Sequence, residues 1–236
     1  MVNKKDILYE GKAKVIYTTD DPSLLIQYFK DDVTAFNGAK KSSIANKGLC
    51  NNMISSHIFD LMSKVKIPNH FVKCFSDREM LVKSVQIIPL EVVMRNVIAG
   101  SLAKRIGKEE GTKLRAPILE FYYKDDNLGD PMINESHIDV FELATKEEIA
   151  HIKNEATKIN NWLVDFFDRI NIVLVDYKLE FGRSDEGILL ADEISLDGCR
   201  LWEKSTGEKK DKDRFRQDLG SLAEVYEEMK ERVINS

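Results

Sequence analysis

Positions 175–183 of this 236-residue chain read Val175-Asp176-Tyr177-Lys178-Leu179-Glu180-Phe181-Gly182-Arg183. Successive side chains of a β-strand point to opposite faces, so a strand here has one apolar face and one charged face. The charged face carries Asp176, Lys178 and Glu180. Charges beside a core-facing row are costly to bury unless they meet one another, a metal or a ligand. The stretch therefore predicts a strand that is also a candidate functional site.

The residues around this strand predict a hairpin. Positions 172–182 and 187–194 have strand character and flank a polar turn. Glu180 and Asp192 come late in the two strands, so their carboxylates could converge on one Mg²⁺ that also holds nucleotide phosphates. Lys178 could neutralise a transferring phosphoryl group. The alternative is a surface ladder of ion pairs, each stabilising the hairpin by roughly 0.2–1 kcal/mol.

The rest of the chain predicts strands and helices in separate blocks. Strand patterns cover 7–10, 13–19, 24–29, 80–94 and 118–124. Helical spacing covers 49–65, 101–106, 149–170 and 219–233. Thr145 and Glu148 form a capping box before the third of these helices. Blocks of this kind favour an α+β fold over a doubly wound parallel sheet.

Pro89 interrupts the strand pattern of 80–94. Proline cannot donate to a sheet ladder, so it predicts a break between two strands. We predict a domain boundary at this break, with a smaller domain over 1–87 and a larger one over 88–236.

Composition excludes several classes of protein. The chain is 43% hydrophobic and 32% charged, which is typical of a soluble globular protein. It has no apolar run of the roughly 20 residues that span a bilayer and no apolar signal segment, so we expect a cytoplasmic protein without a membrane partner. Three widely spaced cysteines argue against a disulfide framework or a zinc cluster. A net charge of −5 disfavours nucleic-acid binding.

Two further segments could bind anions. Gly11-Lys12-Ala13-Lys14-Val15 joins two predicted strands, and the N–H groups of such a turn together with lysines can bind phosphate, although a lysine-bearing hairpin is more often simply solvated. A strand delivers Arg95 beside Gly100-Ser101, where Ser101 is expected to cap the next helix. An arginine at a helix N-terminus suits a phosphate monoester, and the alternative is a plain serine cap with a surface arginine.

Taken together, these segments resemble the SAICAR synthetase family (phosphoribosylaminoimidazole-succinocarboxamide synthases) of purine biosynthesis. The resemblance extends over nearly the whole chain. The matching segments are 8–14, 88–101, 130–135, 175–182, 192–193, 197–202 and 211–216.

The resemblance implies an ATP-grasp-like, kinase-like α+β fold with two domains, mainly antiparallel sheets and flanking helices. ATP would lie in the cleft between the domains, and a homodimer is expected. The family joins L-aspartate to the carboxylate of carboxyaminoimidazole ribonucleotide (CAIR) and releases SAICAR, ADP and phosphate, with Mg²⁺ as cofactor. A carboxylate is a poor electrophile, so ATP would first convert it to an acyl phosphate, and fixed cations would stabilise the charge that builds up.

The resemblance also implies roles for particular residues. ATP contacts fall on Lys12, Ala13, Lys14, Val15, Glu180 and Asp192 and, through the backbone at the adenine, on Ile87 and Ile88, with Mg²⁺ held by Glu180 and Asp192. Ribonucleotide contacts fall on Arg95, Ser101, Asp197 and Arg200, with Arg95 and Ser101 at the 5′-phosphate. Substrate and aspartate carboxylates fall on Lys124, Lys212 and Arg216. Lys178 would act near the transferred phosphate, and Asp176 is a hypothesis for the acceptor of the amine's proton.

The sequence departs from the family pattern at two positions. Asn37 replaces a frequent aspartate, so we assign the loop 32–38 no chemical role, and Cys199 replaces a frequent serine. Two other functions remain open from the sequence. One is a kinase-like phosphotransferase acting on a hydroxyl, and the other is an RNA-binding module that uses the charged run 209–216.

Overall fold

The computed structural model describes residues 2–35 and 40–236. Its first sheet is antiparallel and built from the N-terminal part of the chain. In spatial order its strands are β1 (Lys4–Glu10), β2 (Lys14–Thr19), β3 (Leu24–Phe29), β7 (Glu79–Lys83) and β6 (Phe71–Ser76). A separate hairpin, β4 (Asp32–Ala35) with β5 (Lys40–Ser43), follows β3 in the chain. The predicted strands at 7–10, 13–19 and 24–29 are confirmed, and Asn37 lies outside the described residues.

The second sheet is also antiparallel and contains the strand that opened the sequence analysis. In spatial order its strands are β10 (Met132–Ile133), β9 (Lys113–Tyr123), β8 (Gln86–Val97), β11 (Ile172–Ser184) and β12 (Gly187–Ala191), with β13 (Cys199–Glu203) also paired to β11. The register sets Asp176 opposite both Arg95 and Arg200. It also sets Glu180 opposite Ala191, the residue before Asp192. The β11–β12 hairpin is confirmed, and its register brings the charged residues together.

Pro89 does not break a strand, so this prediction was wrong. β8 runs continuously from Gln86 to Val97, and the break in the predicted strand 80–94 falls after Lys83 instead. Proline is accommodated because Pro89 lies in a bulge of β8, between Ile87, which pairs with Gly182, and Glu91, which pairs with Glu180. Its carbonyl still accepts a hydrogen bond of 3.1 Å from the Lys124 amide.

Six helices are present in the described part of the chain. They are α1 (Lys47–Lys64), α2 (Gly100–Ile106), α3 (Glu135–Val140), α4 (Lys146–Arg169), α5 (Asp213–Arg216) and α6 (Leu222–Ile234). The capping box of α4 is confirmed, because Thr145 and Glu148 each accept from the other's backbone N–H. The predicted serine cap of α2 is wrong: the helix begins at Gly100 after Ala99, and Ser101 lies inside it. Its hydroxyl is therefore free to meet Arg95.

One continuous hydrophobic core connects the two sheets. It includes Phe29 and Met80 from the first sheet and Leu90 and Tyr177 from the second. Helix α1 packs against the first sheet and α6, while α4 packs against β11. The strands of the two sheets separate between Lys83 and Gln86, close to the predicted boundary, but the division into 1–87 and 88–236 stays a prediction. None of the described helices has the length and apolarity of a membrane span.

Candidate active site

A cleft of about 780 Å³ opens between the two sheets. Its first wall comes from β1–β3 and the turn before β2, and its second wall comes from β8, β11 and the end of β12. The predicted site residues that line it are Lys12, Ala13, Lys14, Ile87, Lys124, Lys178, Glu180 and Asp192.

Val15 and Ile88 were also predicted to contact ATP, Ile88 through its backbone, and neither side chain lines the cleft. Both are buried in the core. Strand alternation explains this, because it turns Lys14 and Ile87 toward the cleft and sends their neighbours to the opposite face. Any contact of Val15 or Ile88 with a nucleotide would have to come from the backbone.

Three lysines and four carboxylates meet at the back of the cleft. Lys178 Nζ lies 2.6 Å from Glu180 Oε1, 3.0 Å from Glu91 Oε1 and 3.5 Å from Asp192 Oδ2. Lys124 Nζ lies 2.9 Å from Glu180 Oε1. Lys14 contacts Asp192 Oδ1 and lies 2.9 Å from Glu193 Oε1. We call these seven residues the lysine–carboxylate cluster.

The cluster shifts the pKa values of its members. Burial acts to raise the pKa of Glu180, but Lys178, Lys124 and Lys14 outweigh it and lower that pKa to about 2. Burial acts to lower the pKa of Lys178, but Glu180 and Glu91 outweigh it and raise that pKa. For Lys14, burial is the larger effect, so its pKa is lowered despite the nearby Glu193. Glu180 and Lys178 therefore keep their charges at neutral pH.

The backbone after β12 orients both acidic residues of the Asp192-Glu193 pair. Asp192 has φ 61°, in the left-handed region that aspartate tolerates better than most residues. Gln27 Nε2 donates a hydrogen bond of 3.1 Å to the Asp192 carbonyl, and the Ile194 amide donates one of 3.1 Å to Ser55 on α1. The turn is thus fixed from the first sheet and from α1, and both carboxylates of the pair reach Lys14.

Glu180 and Asp192 fit the predicted metal site in chemistry and in proximity. Both carboxylates lie within 3.5 Å of the same Lys178 nitrogen, close enough to share one ion directly or through water. Oxygen donors are the ligands that Mg²⁺ prefers, and Mg²⁺ usually takes only one or two carboxylates plus phosphate oxygens and water. No group of three or more His, Cys, Asp or Glu side chains within residues 2–35 and 40–236 is arranged to hold a metal by itself. The pair therefore suits an ion that arrives with a nucleotide.

A second charged group lies further along β11. Asp176 is buried and accepts from Arg95 Nη1 at 2.7 Å and from Arg200 Nη1 at 2.9 Å. Arg95 Nη2 donates to Ser101 Oγ at 3.1 Å and to Tyr122 Oη at 3.1 Å. The structure thus brings together three of the residues predicted to bind the ribonucleotide, Arg95, Ser101 and Arg200.

This geometry bears on two predicted roles. The Asp176 carboxylate is already engaged by two guanidinium groups, an arrangement that orients arginines more readily than it accepts a proton from a substrate. Arg95 is only 3% exposed, so an anion would reach it through the Ser101 side of its guanidinium.

The remaining predicted residues lie near the start of α1 and at α5. The Asp197 side chain is 7% exposed; its Oδ2 lies 2.6 Å from Lys47 Nζ, and its Oδ1 accepts from Tyr226 Oη at 2.6 Å. Lys212 is half-buried, and burial together with the positive charges of Arg216 and Lys47 lowers its pKa although Asp197 opposes the shift. Arg216 contacts the buried Asp213. Asp197 is thus held by protein groups, whereas Lys212 and Arg216 form a cationic edge beside it.

Several residues of these groups were missed in the sequence. Glu91 carried a signal, as a lone charge in the apolar run of β8, and Glu193 adjoins a predicted ligand. Gln27 is likewise the one amide in an apolar strand. Lys47 carried no usable signal, because its partner Asp197 comes from a distant part of the chain, and Asp213 was given no role although it lies in the matched segment 211–216.

Comparison with known proteins identifies relatives over the full length of the chain. The SAICAR synthetase family model matches residues 7–233. A phosphoribosylaminoimidazole-succinocarboxamide synthase of Thermoanaerobacter sp. (strain X514) is 57% identical over 232 residues, covering 98% of this chain and 99% of that protein. The crystal structure of phosphoribosylaminoimidazole-succinocarboxamide synthase from Ehrlichia chaffeensis superposes with a TM-score of 0.94 at 46% identity, covering 97% of this chain and 98% of that one. A SAICAR synthetase solved in complex with ADP superposes with a TM-score of 0.93 at 46% identity, covering 97% of each chain.

The solved structures confirm the predicted class of fold, an ATP-grasp-like α+β fold with antiparallel sheets and flanking helices. The chain belongs to the SAICAR synthetase family. Membership confirms the family and the enzyme class that the sequence predicted.

Proposed function

We propose that the chain is the ATP-dependent ligase of purine biosynthesis that joins L-aspartate to the carboxylate of CAIR, giving SAICAR, ADP and phosphate. The observation that carries this proposal is the lysine–carboxylate cluster, which lies in the cleft between the two sheets of a SAICAR synthetase family member. A relative solved with ADP supports a nucleotide in this cleft.

ATP would bind with its phosphates toward the cluster and its base toward Ile87. Lys12, Lys14 and the turn that contains Ala13 lie where they could contact the phosphates. Lys12 pairs with Asp126 at 2.8 Å, and both side chains are exposed, so this contact can exchange for a phosphate at little cost.

Glu180 and Asp192 would hold Mg²⁺, which would neutralise phosphate oxygens and orient the nucleotide. Lys178 keeps its positive charge, because the surrounding carboxylates raise its pKa. Its ammonium group would therefore stabilise the negative charge of the phosphoryl group during transfer, without any proton exchange.

CAIR would bind with its 5′-phosphate at Ser101 and Arg95 and with Arg200 beside it. Transfer of the γ-phosphoryl group to the CAIR carboxylate gives an acyl phosphate, and attack by the amine of L-aspartate then expels phosphate. Lys124, Lys212 and Arg216 would hold the carboxylates of the substrate and of L-aspartate. Positioning both reactants next to the acyl phosphate converts a bimolecular attack into an effectively unimolecular one.

The proposal is tested by incubating the protein with ATP, Mg²⁺ and CAIR, with and without L-aspartate. We expect SAICAR and ADP to form in equal amounts, and only when L-aspartate is present. ADP formation that continues at the same rate without L-aspartate would instead indicate a phosphotransferase, or a hydrolase where free phosphate forms with the ADP. Omitting CAIR is the matched control for ATP hydrolysis by contaminants.

We further propose a homodimer in the cytosol, the state that the family resemblance implied. Sedimentation of the purified chain distinguishes a 27.0 kDa monomer from a dimer.

A further inference from the structure

Five side chains form a row of alternating charge behind the proposed ribonucleotide site. Arg200 Nη1 lies 2.9 Å from Asp176 Oδ2, and its Nε lies 2.8 Å from Asp213 Oδ2. Asp176 also holds Arg95 Nη1 at 2.7 Å, and Asp213 also contacts Arg216 through Oδ1. We call Arg95, Asp176, Arg200, Asp213 and Arg216 the arginine–aspartate row.

Asp213 is the least exposed group on the outer half of this row. It is 2% exposed, and each of its two carboxylate oxygens holds a different arginine. Arg200 comes from β13 and Arg216 from α5, so a single carboxylate ties two elements together. Without that charge two guanidinium groups would repel each other in a partly buried place.

Asp213 also determines which part of Arg200 is free. The Nε and Nη1 groups of Arg200 are engaged by Asp213 and Asp176, while Nη2 has no hydrogen-bond partner within the described residues. Nη2 lies against Gly100, where an added Cβ would be 2.6 Å away. Gly100 has φ +53° and directly precedes Ser101. Because Arg200 Nη2 lies against Gly100, its free N–H groups lie near Ser101, whose hydroxyl accepts a hydrogen bond from Arg95.

We propose that Asp213 is a positioning residue for the ribonucleotide: its carboxylate fixes the guanidinium groups of Arg200 and Arg216 so that their free N–H groups form one anion-binding edge. The inference rests on the proposed function, because it takes CAIR as the anion. Arginine binds phosphate and carboxylate through a planar fork, so a fixed orientation matters more than charge alone.

A purely structural role for Asp213 is the competing explanation. Asp211 provides the comparison, because it is fully buried in the same segment but holds backbone groups instead of arginines. It accepts from the Leu201 amide at 2.7 Å and from the Asp213 amide at 2.6 Å. Asp211→Asn should therefore weaken the backbone contacts of this segment, while Arg200 and Arg216 keep the carboxylate of Asp213.

The test is the Asp213→Asn variant, which keeps the shape of the side chain and removes its charge. CAIR is titrated calorimetrically without ATP, ADP with Mg²⁺ is titrated separately, and steady-state kinetics give kcat and each KM. We expect CAIR affinity to fall on the order of tenfold or more, as for loss of a hydrogen bond to a charged group. The KM of CAIR should rise in parallel, while ADP affinity stays within about twofold of wild type.

Two results would overturn the proposal. One is equal loss of CAIR and ADP affinity in Asp213→Asn, with the pattern that Asp211→Asn gives when it loosens the segment, and the other is unchanged CAIR affinity in a folded Asp213→Asn variant. If Asp213→Asn does not fold, Asp213→Glu replaces it: the longer side chain displaces both guanidinium groups, so unchanged CAIR affinity would also refute positioning. Failure of the proposed function looks different, because wild-type protein would then bind no CAIR and form no SAICAR.

Discussion

Glu180 is the residue on which the charge balance of the cleft depends. It lies between Lys178 and Lys124, its side chain is 5% exposed, and Lys14 adds a third positive charge nearby. Burial alone would favour the neutral acid, yet the three lysines lower its pKa to about 2. Interaction with opposite charges therefore exceeds the desolvation cost at this position.

Replacing Glu180 by glutamine should destabilise the ligand-free protein at neutral pH but have little effect in acid. A carboxyl group with a lowered pKa contributes stability above its unfolded value near 4.5 and loses it as pH falls toward about 2. The shift corresponds to roughly 3 kcal/mol at pH 7. Because glutamine mimics the protonated acid, the difference from wild type should shrink between pH 5 and pH 3.

The measurement is the free energy of unfolding by urea at several pH values. Glu186→Gln is the control, since Glu186 pairs with Lys83 on the surface and should contribute below about 1 kcal/mol at any pH. A destabilisation by Glu180→Gln that is the same at pH 7 and pH 3 would contradict the charge-balance explanation.

Single residues were predictable where one element determines their direction. Strand alternation was enough to group Asp176, Lys178 and Glu180, and hairpin pairing was enough to add Asp192. The same alternation, applied to Val15, would have sent its side chain to the core. Lys47 could not be found in this way, because its contact with Asp197 joins segments far apart in the chain. Asp213 could not be found either, because its contact with Arg200 depends on how α5 lies against β13.

At the scale of elements, Gly182 controls how β11 meets the segment that leads into β8. A Cβ at this position would lie 2.4 Å from Val85 Cγ2 and 2.7 Å from Val85 Cβ, much closer than real contacts allow. Val85 lines the cleft together with Ile87. The glycine in Leu179-Glu180-Phe181-Gly182 thus lets one wall of the proposed nucleotide site approach the sheet.

Gly182→Ala should therefore weaken ADP binding and lower stability together. Displacing Val85 should lower the free energy of unfolding by on the order of 1–3 kcal/mol, as overpacking of a core does in other proteins. Urea unfolding and titration with ADP and Mg²⁺ measure the two effects. Gly198→Ala is the matched control, since a Cβ there meets nothing within 4 Å. Unchanged ADP affinity in Gly182→Ala would show that Val85 does not shape the nucleotide site.

Elements were predictable where their pattern is local. The capping box predicted the start of α4, and turn residues predicted the β11–β12 hairpin. Pro89 misled the prediction because its effect depends on how β8 pairs with β11: within a bulge, a strand tolerates proline without ending. The strands β4, β5, β6, β10 and β13 were missed, since short runs carry a weak periodicity.

At the scale of the whole molecule, the continuous core is what holds the two walls of the cleft together. Buried residues of α1 and the first sheet belong to the same cluster as those of β8, β11 and α6. The sequence could suggest two units from a change in element pattern. It could not show that they share one core, because that depends on which faces of distant elements meet.

This shared core predicts that the chain unfolds as one unit and that a nucleotide stabilises all of it. Cys50 on α1 is fully buried and reports on the first sheet, whereas the two tryptophans, Trp202 on β13 and Trp162 on α4, report on the second sheet and its helix. In a Cys74→Ser, Cys199→Ser background, the thiol reactivity of Cys50 and the tryptophan fluorescence should change at the same urea concentration. ADP with Mg²⁺ at about 100 times its Kd should raise the unfolding free energy reported by both probes by about 2.7 kcal/mol. Reaction of Cys50 at a lower urea concentration than the fluorescence change would instead establish residues 1–87 as a separately unfolding domain. If ADP raised the unfolding free energy reported by only one probe, the binding energy would belong to one wall of the cleft.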